Sequence, residues 1–146
     1  MNPGTSDLAR LLPHAGTARM IERVVRWDDQ QILAATSLHR SAANPLRLHG
    51  RLAAVHLAEF AAQVMAIHGG LRNEAAGLPP QPGLLVSVRD LTMRRDYVDD
   101  LPGELEIEAR ALLLNRDSWQ YSFEVRHQEM PIASGRAAAV AQATPP

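Results

Sequence analysis

Cysteine is missing from the sequence altogether. That absence excludes a disulfide scaffold, a thiolate metal site and a cysteine nucleophile, and it is compatible with a reducing compartment. An excess of one charge is missing too. With a formal net charge of −1 and scattered arginines, the chain has no basic footprint for a phosphate backbone, so nucleic acid is not an expected partner. No apolar run of the secretory type follows the N-terminus. The longest apolar stretch, Leu52 to Ile67, is interrupted by His56, Glu59 and Gln63 and is short for a bilayer span. Internal repeats and low-complexity runs are also lacking. A cytoplasmic protein with no membrane association is the expectation.

What remains is ordinary globular composition, 46% apolar and 21% charged over 146 residues, enough for one domain around one core. Residues 1–146 read as a single domain, with 1–6 ("MNPGTS") and 142–146 ("QATPP") as unstructured tails.

Between Gly50 and Gly69-Gly70 the chain carries Leu52, Val55, Leu57, Phe60, Val64, Met65 and Ile67, with no proline. The pattern predicts a long helix from about Leu52, stopped by the glycine pair. Apolar residues lie almost all round it, so it lacks a broad face to give to water and must be wrapped. The wrapper is legible on both sides. "ELEIEARALL" and "SWQYSFEV" alternate with a period of two and flank the turn "NRD", which predicts an antiparallel hairpin. After "HQEMP" comes "IASGRAAAVA", a last strand of small residues. Upstream, "MIERVVRW" and "QILAATSL" flank "DDQ" as a first hairpin, and "GLLVSVRDLTM" supplies one more strand. This order predicts an α+β hotdog fold, a long central helix wrapped by a curved antiparallel β-sheet.

On that helix His56, Glu59 and Gln63 fall within an arc of roughly 60°. A carboxylate on an apolar helix is costly unless it is hydrogen-bonded or keeps its proton, which is the state a general acid needs near neutral pH. Two readings stand: a structural acid, either satisfied by Gln63 and His56 or set on a face that meets solvent at a groove, or a catalytic group. His68, just ahead of the glycine pair, reads as a complement to the helix C-terminus. His49 stands ahead of the helix, where the amides of Gly50 and Arg51 would meet a developing oxyanion. It is either a loop histidine or a base.

Two segments carry a family resemblance. "LLPHAGTARMIERVV", with Glu22, Arg23 and Val24 at its end, resembles the opening of β-hydroxyacyl-ACP dehydratases, and "EFAAQ", Glu59 to Gln63, resembles their Glu-x-x-Ala-Gln helix signature. The pattern "HGRLAA…EFAAQ…HGGL" resembles the divergent dehydratase-like proteins of aryl polyene and related pigment pathways, some of which support an active subunit. The resemblance implies a (3R)-hydroxyacyl-thioester dehydratase of fatty acid or polyene-type synthesis, acting on acyl-ACP or acyl-CoA. It implies no metal or redox cofactor. Glu59 takes the place of the family's catalytic acid; the family's histidine position falls on Pro45, which cannot act as a base, so His49 is the substitute. Gly50, Arg51, His56 and Gln63 are the candidate substrate-binding residues around this pair. The family builds each site from two subunits, which implies a homodimer or a heterodimer with another hotdog dehydratase subunit. Competing readings are an impaired partner subunit, an acyl thioesterase in which Glu59 activates water, and an acyl-binding module. Arg89, Arg94 and Arg95 are candidates for receiving an acidic carrier protein or a pantetheine phosphate, or else line a solvated strand end.

Overall fold

A computed structural model describes Leu8, Leu11 and residues 19–142. The expected tail at 1–6, nearly all of that at 142–146, and the Leu12-Pro13-His14 turn lie outside the described residues.

Six strands form one antiparallel sheet: β1 (Arg23–Trp27), β2 (Gln31–Thr36), β3 (Gly83–Met93), β4 (Leu105–Leu114), β5 (Ser118–His127) and β6 (Met130–Ala141). Their order across the sheet is β1-β2-β4-β5-β6-β3. The inward positions are those the alternation marks. Leu105, Ile107 and Ala109 on β4 and Tyr121, Phe123 and Val125 on β5 are buried, while Glu106, Glu108, Ser122 and Glu124 between them are only partly so. Cross-strand pairs such as Ile107–Val125 and Ala109–Phe123 set the register. The small residues of β6 have a stated use at Gly135: an added Cβ there would stand 2.9 Å from the Phe123 ring. The turn before β6 is tighter than "HQEMP" suggests. Gln128 and Glu129 alone make it, both with positive φ, so β6 already begins at Met130.

Helix α1 (Leu57–Ala75) lies in the curve of this sheet. Leu57, Phe60, Ala61, Val64 and Ile67 are fully buried, as is His68, and the five apolar residues belong to a single core with Leu52, Ile32 and Ile107. A buried phenylalanine or leucine contributes roughly 1.5–3 kcal/mol through lost apolar hydration, so this face fixes the helix in place. The arrangement is the hotdog architecture, a helix wrapped by a curved sheet.

Both helix ends depart from expectation. The start is later, at Leu57, because residues 52–54 bond elsewhere: Ala54 N–H donates to the Asp96 carbonyl at 2.8 Å, and Val98 N–H to the Leu52 carbonyl at 3.0 Å. A 3₁₀ turn, Ala54–His56, then leads into α1. The glycine pair does not stop the helix. Gly70 sits inside it because the Leu11 side chain would be 2.9 Å from a Cβ there, and that close packing offsets a propensity cost of about 1 kcal/mol. The stop is Gly77, left-handed at φ 69°, where Leu78 N–H closes onto the Asn73 carbonyl at 2.8 Å.

Candidate functional site

The approach to α1 begins with a tight turn. Leu48 and Arg51 exchange both backbone hydrogen bonds, at 2.8 and 3.0 Å, around His49 and Gly50. Both central residues have positive φ, 53° and 77°, so the reversal is a primed turn with an imidazole at its tip. His49 is exposed. The placement corrects one expectation about the oxyanion site: Gly50 and Arg51 are not at the helix N-terminus, which lies at Leu57, and the Arg51 amide is already engaged within the turn.

Side chains hold this turn from two directions. Arg47 donates through Nη1 to the Gly50 carbonyl at 2.7 Å and through Nη2 to the Arg40 carbonyl at 2.8 Å. Arg51 Nε reaches both oxygens of Asp99, at 3.1 and 3.0 Å, and its guanidinium lies over the Tyr97 ring, 4.2 Å from the centroid. Asp99 also accepts the Leu52 N–H at 2.9 Å. Burial raises the Asp99 carboxyl, but the Leu52 amide and Arg51 outweigh it and leave the group below its ordinary value.

Glu59 stands in the first turn of α1 and is exposed, whereas Phe60 and Ala61 beside it are buried. Among the described residues no hydrogen bond or ion pair reaches its carboxylate. The reading of Glu59 as an acid satisfied by Gln63 and His56 is therefore not realised. Gln63 is buried and turned to another task, its Oε1 accepting the Met20 N–H at 2.7 Å. His56 is half-buried at the N-cap and makes no side-chain cap bond. The helix dipole favours an acid at the Glu59 position by about 0.3–1 kcal/mol, which accounts for its charge but leaves its chemistry open.

His68 is not a C-terminal complement. The helix runs on past it, and its ring is fully buried against Trp27 and Tyr121. Nε2–H donates to the Asp28 carbonyl at 2.7 Å, so Nδ1 is the acceptor for the Tyr121 hydroxyl at 2.6 Å. Burial pulls the His68 pKa down and pushes the Tyr121 pKa up to about 12, which keeps the pair neutral. Glu22 and Arg23 are likewise structural. Glu22 accepts the Ser37 amide and hydroxyl, and Arg23 forks onto Glu104 at 2.6 and 3.2 Å. Of the three arginines singled out, Arg95 is paired with Asp100 at 3.0 Å, while Arg89 and Arg94 are exposed without ion pairs among the described residues.

Two cavities lie elsewhere, one of about 50 Å³ between Trp27 and Glu108 and one of about 400 Å³ over the outer face around Arg110 and Arg136. Neither is lined by His49 or Glu59. Among the described residues no three histidine, aspartate or glutamate side chains are grouped to hold a metal, and no helix is long and apolar enough to cross a membrane. Arg47, Tyr97 and Asp99 were not marked by any local sequence pattern; Asp99 lies 48 residues from Arg51, beyond the reach of periodicity.

No curated protein matches the chain. Among solved structures it is similar to the dehydratase heterocomplex ApeI:P from Xenorhabdus doucetiae, with a TM-score of 0.86, 18% identity, and coverage of 94% of this chain and 91% of that one. A hypothetical thioesterase with coenzyme A from Streptococcus pneumoniae gives a TM-score of 0.57 at 12% identity, over 84% of this chain and 87% of the other. A variant of the phenylacetic acid degradation protein PaaI from Thermus thermophilus gives 0.54 at 20% identity, over 80% and 90%. At such identities these likenesses establish the shared fold. The ApeP-like family model, described as ApeP dehydratase, matches residues 6–145, and the chain therefore belongs to the ApeP-like dehydratase family.

Proposed function

We propose that the protein is a subunit of a hotdog dehydratase that converts a 3-hydroxyacyl thioester, carried on acyl carrier protein or coenzyme A, into the 2-enoyl thioester and water. The observation that carries this reading is the Glu59 carboxylate, exposed and without a partner among the described residues, in the first turn of a helix whose neighbouring residues are core. In the elimination His49 takes the proton from C2, and the electron pair forms the C2–C3 double bond. The C3–O bond breaks as Glu59 delivers its proton to the departing hydroxyl, which leaves as water. Solvent then returns the proton from His49 to Glu59. The Gly50 amide is the donor for the thioester oxygen, since the Arg51 amide is engaged in its turn. His56 and Gln63 flank Glu59 on the helix, with Gln63 fixing the wall through Met20.

A second chain completes the site. Among the described residues strand β3 is an edge, paired with β6 alone, and it exposes Leu84 and Val86. Long apolar edges of this kind are normally covered. A hotdog subunit pairing along β3 would cover it. That the similar ApeI:P assembly is a heterocomplex favours a partner of different sequence, as does Pro45 at the position of the family histidine. The same two facts support a second reading, in which this chain assists an active partner.

The test is to purify the chain alone and with a second hotdog dehydratase subunit and to offer a 3-hydroxyacyl thioester. Enoyl absorbance with the thioester intact is expected. Free thiol without enoyl product would mean a thioesterase, and binding without change an acyl-binding module. Turnover only with the partner, and indifferent to Glu59→Gln, would establish the assisting role.

A further inference from the structure

A turn of this kind most often places asparagine or aspartate before its glycine, and a left-handed backbone is uncommon for any residue that carries a side chain, though histidine tolerates it better than most. His49 nevertheless holds φ 53° at an exposed position. Such a conformation persists where its surroundings over-determine it. The two backbone bonds between Leu48 and Arg51 already close the turn, so the additional grips exceed what a solvent loop requires.

Those grips form a closed circuit. Arg47 ties the Gly50 carbonyl to the Arg40 carbonyl, at the end of the short 3₁₀ segment Leu38–Arg40. His39, in the middle of that segment, is fully buried and donates through Nε2 to the Leu101 carbonyl at 2.9 Å. Between Val98 and Leu101, both buried, stands Asp99, which holds the Leu52 amide and the Arg51 guanidinium. Arg51 returns the circuit to the turn. The backbone that carries the imidazole is thus referred on both sides to the core, and residues 52–54, paired with 96–98, carry the same reference to the first turn of α1.

We propose that this circuit is a positioning device in which Asp99 and Arg47, without touching substrate, hold the His49 ring in one place relative to the start of α1. The proposal rests on the reading of His49 as the base. Orientation of this kind is worth large factors in rate, because a reacting group displaced by about 1 Å can lose a hundredfold.

The experiment compares wild type with Asp99→Ala, Asp99→Asn and Arg47→Met in the full chain, assembled with its partner subunit. Asp99→Ala and Arg47→Met are expected to lower kcat about tenfold to a hundredfold, with KM changed less than about threefold. Asp99→Asn should recover most of the loss, since its amide oxygen still accepts the Leu52 N–H. Circular dichroism of each variant, well below its melting temperature, guards against a misfolded sample. The second readout is the His49 ring resonance in the labelled chain, expected as one sharp set in wild type and as several broadened sets in Asp99→Ala. Wild-type kcat in both truncated variants, or a His49 signal unchanged by Asp99→Ala, overturns the proposal. If the wild-type assembly is itself idle, the dehydratase reading fails, and the ring resonance alone still decides whether Asp99 fixes His49.

Discussion

Two histidines bracket the first three turns of α1, and the two are treated in opposite ways. His68 has both ring nitrogens bonded, to Tyr121 and to the Asp28 carbonyl, and no exposed surface. His56, at the N-cap, makes no cap bond and is half-buried, and Glu59 in the next turn is exposed without a partner among the described residues. Polar groups that serve the fold are satisfied within it. The difference separates the two ends: the His68 end is closed within the core, and the Glu59 end is exposed.

The largest expected effect comes from breaking the wall that both ends share. Leu57 is fully buried at the first position of α1, and Leu57→Asp would place an unpaired carboxylate there. Its cost of several kcal/mol is comparable to the whole stability of a domain, about 5–15 kcal/mol. Loss of the cooperative melting transition by circular dichroism is the expected result.

At the closed end, His68→Ala removes a buried ring and leaves the Tyr121 hydroxyl and the Asp28 carbonyl without their partner. Denaturant unfolding should show a loss of about 2–4 kcal/mol. A loss below about 1 kcal/mol would mean that the His68 hydrogen bonds do not hold the fold together.

A smaller effect follows from pH. Burial lowers the folded pKa of both His68 and His39 below the unfolded value of about 6.5. The unfolded chain therefore binds more protons in that window, and stability rises with pH. The contribution is complete above about pH 6.5 and is lost as pH falls from there through the folded values. Urea midpoints measured between pH 7.5 and 5 should decline, and the decline should shrink in His68→Ala.

Much of this fold was legible because strands of period two announce themselves: β4 and β5 were readable from Leu105, Ile107, Tyr121 and Phe123 alone. The ends of α1 were not. Residues 52–54 have good helix formers but spend their hydrogen bonds on a segment more than 40 residues later, and Gly70 is held in the helix by Leu11 rather than by propensity. The same division runs through the candidate site. Glu59 stood out as an acid in an apolar helix, and His49 as a histidine beside glycine. Whether Glu59 was enclosed or open depended on which arc of the helix met the sheet, and Gln63 turned out to be committed to Met20, 43 residues away. The Asp99 grip on Arg51 was invisible for the same reason: non-local contacts leave no periodic trace.

The smallest effect on stability should accompany the largest effect on chemistry. Glu59→Gln alters an exposed group, so stability should change by no more than about 0.5 kcal/mol. The amide cannot deliver a proton to the departing hydroxyl. The decisive measurement is the rate of enoyl thioester formation by the assembled dehydratase carrying Glu59→Gln, beside wild type in the same assembly. The account predicts that turnover disappears while the melting temperature stays where it was; wild-type turnover in the variant would contradict it and return Glu59 to the role of a charge at a helix end.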